Sequence, residues 1–258
     1  MAPPDPWLSA RMRNRAAIAA GETELYPAIR EAIRLYLAAV RQGLGLQTPD
    51  VLTATGSESP TEPDWHGYPD DSAWTRLVQQ VIAPVWRRLW HTAYYRTVSH
   101  AGDNPEQGRA GDASGDLAAR LRTFPRRVWD RLRQAARNVC PRESSQRLRT
   151  RLAELASPDI WLPAALTMTR TEVHTALNAG ALAAALDEQA RTRTTWAKTW
   201  VATADERTRP AHRAADGQQR RLNEPFDLGG DRLQFPGDPR GTPSNTINCR
   251  CSVHLRPV

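Results

Sequence analysis

The chain has 258 residues, of which 40% are hydrophobic and 24% charged, enough for one large domain or two modest ones with a real core. No apolar run reaches the ~20 residues that cross a bilayer, and Met1-Ala-Pro-Pro-Asp-Pro-Trp7 lacks the basic-then-apolar layout of a signal peptide, so neither membrane spanning nor secretion is expected. The net charge is +7, yet 34 of the 35 basic residues are Arg and a single one, Lys198, is Lys; this skew follows GC-rich codon use, so basicity is a compositional trait before it is a nucleic-acid signature.

Where the charge falls is more informative. Residues 1–72 carry a net −4, residues 73–156 a net +9 and residues 157–258 a net +2. A polyanion, or an acidic partner surface, is expected to meet the middle third.

The first predicted element is a helix carrying Leu25, Ala28, Ile29, Ala32, Ile33, Leu35, Tyr36 and Val40 at three- and four-residue spacing, stopped by Gly43-Leu-Gly45. A linker near 43–73 follows, without a basic residue between Gln42 and Thr75 and interrupted by Pro49, Pro60, Pro63 and Pro69. A second helix is predicted from Trp74 to about Val98, with Pro84 kinking it or ending its first part. Residues 101–116 form a Gly-rich polar break. Leu117 to about Asn138 reads as one Arg-laden helix and Ser144 to about Ala156 as another. Ser157-Pro158-Asp159 then suits the start of a long helix, with Ser157 as N-cap and Pro158 at N1, running to about Gln189.

Beyond it the period changes. Trp196 to Thr203 fits a strand with Trp196, Lys198 and Trp200 on one side. A short helix from Thr208-Arg-Pro210 to about Asp216 is closed by Gly217. Glu224 to Phe235 reads as a hairpin turning at Gly229-Gly230-Asp231, and Ile247 to about Leu255 as a last strand. The expected fold class is α+β: a mainly helical N-terminal region over 1–156, then a small C-terminal module over 157–258 of long helix, short helix and antiparallel strands.

Three groups of residues could carry chemistry. Cys249-Arg-Cys251 is a C-x-C pair; on a strand both thiols point to one side and could begin a zinc site completed by His212 and Asp216 or Asp205. The plainer reading of the same two residues is as small, semi-buried positions near the chain end. With one C-x-C pair and an odd total of three Cys, including Cys140, a disulfide framework is not expected. Asp205, His212 and Asp216 form the second group, with His212 and Asp216 at i and i+4 on one helix face; they suit an acid–base or metal-hydrolase site, or a capping and hydrogen-bond network. The third is an Arg cluster: Arg120, Arg122, Arg126, Arg127, Arg131, Arg133 and Arg137, continued by Arg142, Arg147, Arg149 and Arg151, with Phe124 and Trp129 interleaved. That pattern suits phosphate contacts with aromatic support, or a solvated helix face. No G-x-S-x-G, H-E-x-x-H, Walker A or G-x-G-x-x-G pattern is present.

Read in order, Thr169-Arg-Thr-Glu172, Asn178-Ala-Gly180, Lys198-Thr-Trp200, Asp205-Glu-Arg-Thr-Arg-Pro-Ala-His212, Asp216-Gly-Gln218, Pro225-Phe226, Pro236-Gly-Asp-Pro239 and Asn248-Cys-Arg-Cys251 resemble the phage Mu protein F-like minor head proteins, the phage head morphogenesis family. The resemblance covers about residues 157–255. It implies a minor capsid protein without enzymatic activity, associated with the portal vertex and acting in head assembly and DNA packaging or ejection. Its implied partners are the portal protein, the major capsid or scaffolding protein, and viral DNA, with no membrane; its implied location is the virion, with host cytoplasm during assembly. The recurring positions fall on Asp205, Arg207, His212, Asp216, Gly217, Cys249 and Cys251. Zinc apart, no cofactor is expected. A metal-dependent hydrolase or nuclease, and a DNA-binding protein centred on the Arg segment, remain the competing readings.

Overall fold

The computed structural model describes residues 7–46, 71–99, 117–138 and 145–258. Most of both expected linkers, together with Cys140 and Arg142, lies outside these residues. The fold is α+β. In chain order it contains α1 (Leu8–Gly43), α2 (Asp71–Leu77), a π-helical turn (Val78–Ile82), α3 (Ala83–Ser99), α4 (Leu117–Leu121), α5 (Thr123–Arg137) and α6 (Ser145–Leu155). A 3₁₀ turn (Pro158–Trp161) leads into α7 (Leu162–Thr192), followed by β1 (Trp196–Val201), α8 (Pro210–Ala214), β2 (Gln219–Arg221), β3 (Phe226–Leu228), β4 (Asp231–Leu233), α9 (Pro243–Thr246) and β5 (Ser252–Pro257).

Contacts group the chain into two compact units. One draws on Met1–Pro27, Ala83–Asp116 and Leu166–Val258, the other on Ala28–Ile82 and Leu117–Ala165. This grouping divides the chain differently from a boundary at 156/157. The reason is that the start of α1 and all of α3 pack on the C-terminal elements.

The helical unit is built on aromatic rings. Tyr36 lies edge-on to Trp74 and Phe124, at 5.5 and 5.9 Å, and Phe124 edge-on to Trp161 at 5.4 Å. Buried indole N–H groups need acceptors: Trp129 donates to the Tyr36 hydroxyl at 3.0 Å and Trp74 to the Leu121 carbonyl at 3.1 Å. The second contact accounts for a difference from the expected single helix over 117–138. Pro125 has no N–H to give to Leu121, so the helix breaks at Arg122 into α4 and α5 and Trp74 takes the carbonyl that is left. Pro84 acts in a related way. It cannot donate back into the preceding turn, and that turn widens into the π-helix Val78–Ile82.

In the other unit, helices approach closely. A Cβ on Gly180 of α7 would lie 2.2 Å from the Trp90 carbonyl oxygen of α3, and one on Gly21 of α1 would lie 2.8 Å from Val173 Cγ1. Trp86 donates to the Glu172 carboxylate at 3.0 Å and Tyr94 to Asp187 at 2.8 Å. The three-stranded antiparallel sheet has the order β2-β1-β5, and β3-β4 is a separate hairpin. The hairpin turns on Gly229 and Gly230, both with positive φ, with Leu228 opposite Asp231.

Two local expectations change. Ser157 precedes the 3₁₀ turn in extended conformation with Pro158 at N1, but its side chain makes no capping bond. The last strand begins at Ser252 rather than Ile247, because Pro243–Thr246 forms a helical turn and Asn248 adopts a left-handed φ of 55°. The C-x-C pair therefore sits in the loop entering β5, not on a strand.

Candidate functional site

Several short elements bring the C-terminal motif residues together. β1 ends at Val201, and the Ala202 N–H donates to Asp216 Oδ1 at 2.8 Å. The other Asp216 oxygen accepts from Arg11 of α1 at 2.6 Å. Gly217, at φ 78°, turns the chain back so that its N–H reaches the Trp200 carbonyl at 2.8 Å and β2 can pair with β1. Asp205 Oδ1 accepts from the Arg207 N–H, the Thr208 hydroxyl and Arg250 Nη2, at 3.1, 3.0 and 2.8 Å, while Oδ2 takes Arg250 Nη1. The Arg250 guanidinium, followed by the Thr208 hydroxyl and the Arg207 N–H, holds the Asp205 carboxyl down to about 2 against its partial burial. Arg207 is exposed and contributes its backbone N–H to this loop.

His212 projects from α8 into the core, where the Trp200 ring meets it edge-on at 5.5 Å. Its Nδ1 lies 3.4 Å from Cys251 Sγ and 3.7 Å from Cys249 Sγ. All three side chains are buried, both thiols are free, and the three atoms lie within 4.8 Å of one another. The Cys249 thiol beside it and the His212 imidazole favour a thiolate at Cys251 and push its pKa down, while Cys249 is pushed up. Cys251 is also anchored through its carbonyl, which accepts from Asn178 Nδ2 at 3.3 Å; Asn178 Oδ1 takes the Val253 N–H at 3.0 Å.

The expected groupings are thus partly met. His212 joins the C-x-C pair although the pair is not on a strand. Asp205 and Asp216 do not join it: one is held by Arg250, the other by Ala202 and Arg11. Among the described residues, neither carboxylate bonds to His212, so the acid–base trio is not assembled.

Two buried groups were not foreseen as site residues. Lys198 is fully buried, and its ammonium donates to the carbonyls of Leu222 and Gln234 and to Gln234 Oε1, at 2.8, 2.9 and 2.6 Å. Burial pushes it down to about 8, with Asp238 acting in the other direction. A compact ammonium with three rotatable donors fits three converging oxygens, which a planar guanidinium does not; a lone Lys in an Arg-biased chain was the signal. His174 donates Nδ1 to the Arg170 carbonyl at 2.8 Å, and burial pushes its pKa down to about 4. His174, Asn178 and Cys251 line a cavity of about 620 Å³ together with Arg13, Asn14 and Ser252.

On the helical unit, α5 buries Phe124, Pro125, Val128, Trp129, Leu132 and Ala135 and exposes Arg126, Arg127, Arg131, Arg133 and Arg137, and Arg122 just before it is exposed too. Arg120, on α4, is half-buried. Phe124 and Trp129 face inward, so the aromatic support expected for a nucleic acid is instead part of the core. Arg131 and Arg133 lie over the rings of Trp161 and Trp129, at 5.7 and 5.8 Å.

Residues 130–254 match the family model described as phage Mu protein F like protein. Over that stretch the chain is similar to the phage Mu protein F-like proteins. The match spans just under half of the chain and takes in every motif residue from Asp205 to Cys251. The family is one of structural phage head proteins that act in head morphogenesis. No curated protein and no solved structure matches the chain. No helix among the described residues is long and apolar enough to cross a membrane.

Proposed function

We propose that this Mu F-like chain is a minor structural component of a tailed-phage head, seated at the portal vertex in few copies and acting in head assembly and DNA packaging or ejection. The family match carries the reading. The use made of the motif residues supports it: Asp205, Asp216 and Asn178 are spent on backbone N–H groups, a guanidinium and carbonyls. The portal protein and other capsid components are its partners, and the virion is its destination. Co-expression with the portal protein of the same phage tests this: the two copurify, and heads assembled without the chain are malformed or package poorly. A chain that never associates with portal or capsid protein contradicts the reading.

A second reading concerns viral DNA, and the exposed face of α5 favours it. Five Arg side chains lie on that face, with Arg122 just before the helix and Asp130 as the acidic residue among them. Binding through such a face releases counterions, so affinity falls steeply with salt. A salt series with duplex DNA, using the full chain, separates this from a merely solvated face.

A further inference from the structure

We propose that His212, Cys249 and Cys251 bind one zinc ion, with a solvent oxygen as the fourth ligand. Two thiols and an imidazole are the donor set that zinc prefers, at about 2.3 Å for sulfur and about 2.0–2.1 Å for nitrogen. Around a tetrahedral ion those lengths give nitrogen–sulfur edges of about 3.5 Å. The observed separations are 3.4 and 3.7 Å, and the three ligand atoms already lie within 4.8 Å of one another. An ion at their centre needs only small side-chain adjustments.

The surroundings fit such a centre. The ligands are separately anchored. His212 stands on α8 against Trp200, the Cys249 N–H donates to the Thr246 carbonyl at the end of α9, and the Cys251 carbonyl is held by Asn178 of α7. The loop between the thiols is pinned by the Arg250–Asp205 pair and by the Thr203 hydroxyl on the Arg250 carbonyl at 2.7 Å. Asp205 and Asp216 are engaged elsewhere, so among the described residues the protein supplies three ligands. Of the three, Cys251 lines the cavity of about 620 Å³, and a solvent oxygen at the fourth position would have to enter from that side. With Nδ1 on the metal, the imidazole proton resides on Nε2.

A bound zinc would cross-link α8 to the loop entering β5, in a module whose strands are only three to six residues long. Its role here is structural, and it is independent of the portal and DNA readings.

The test uses the full chain, purified without a metal-binding tag or chelator. Elemental analysis is expected to give about one equivalent of zinc, and a chelator is expected to lower the melting temperature reversibly. Cobalt(II) added to the metal-free chain should give a thiolate-to-cobalt charge-transfer band and the intense visible bands of a four-coordinate ion. His212→Cys, which keeps a zinc ligand, should retain the metal, and His212→Ala should lose it. Three results overturn the proposal: a wild-type chain with no zinc that also gives no cobalt–thiolate band; a disulfide between Cys249 and Cys251 in the freshly purified chain; or zinc held equally well by the Cys249→Ser, Cys251→Ser double variant. The wild-type zinc and cobalt measurements decide the matter even if a variant fails to fold.

Discussion

The two compact units reach a buried core by different means. The helical unit buries aromatic rings in register with helical periodicity and turns arginines outward. The unit containing the C-terminal module buries polar and charged groups, Lys198, Asp238, His212, Asn178 and Thr199 among them, and joins short strands through them. In the helical unit, buried apolar and aromatic area does most of the ordering, with the indole N–H groups satisfied within it. Where strands are three residues long, backbone groups outside the ladders must find side-chain partners, and the buried polar groups meet that need. Several family-motif residues take part in this: Asp205, Asp216 and Asn178 bond to backbone N–H groups, carbonyls and guanidinium groups of neighbouring loops.

This contrast can be broken or sharpened by substitution. The largest effect is expected from Trp74→Ala, which empties the centre of the aromatic cluster and should cost about 3–5 kcal/mol in denaturant unfolding. Amide exchange should quicken first within 71–82 and 117–138; equal loss in β1 and β5 would show that the units share one core. Lys198→Met should come next, at about 3 kcal/mol, because it strips the donor from three converging oxygens. Its loss should appear in β1, β2 and the hairpin. Gly180→Ala should cost about 1–3 kcal/mol despite better helix propensity, since the new Cβ meets the Trp90 carbonyl; a more stable variant would mean that α3 and α7 part easily.

Asp205→Asn should have a smaller effect, under about 1 kcal/mol, because its pair with Arg250 is partly exposed. Its signature is in pH. The folded-state pKa lies below the unfolded one, so the stabilisation is complete above about pH 4 and is lost as pH falls through about 2. The gap between wild type and variant should therefore close on acidification in urea melts. Replacing Arg126 and Arg127 by Gln should leave stability within about 0.5 kcal/mol. If α5 meets DNA, the same change lowers the salt slope by about two.

How much of this was legible in the sequence follows the same division. The helices and their apolar faces could be read because leucines, tryptophans and valines repeat at a regular spacing. The hairpin at Gly229-Gly230 could be read because only turn chemistry explains that pair. Hidden were features that depend on partners far apart in sequence. The split at Arg122 depends on Trp74 taking the carbonyl that Pro125 leaves. β2 is three residues long and carries no alternation. Cys249 and Cys251 meet His212 from a loop, so the strand argument reached the right neighbours by the wrong geometry. Asp216 looked like a partner of His212 by spacing, but α8 ends at Ala214, and the carboxylate turns to Ala202 and to Arg11, which lies 205 residues away in the chain.

The most direct measurement is quantitative peptide mass spectrometry on purified heads and mature virions of the phage that encodes the chain. A minor head protein at the portal vertex predicts its peptides in both, at a small fixed ratio to the portal protein and far below the major capsid protein. Its absence from both particles, with the chain abundant in the infected-cell lysate, would contradict that account.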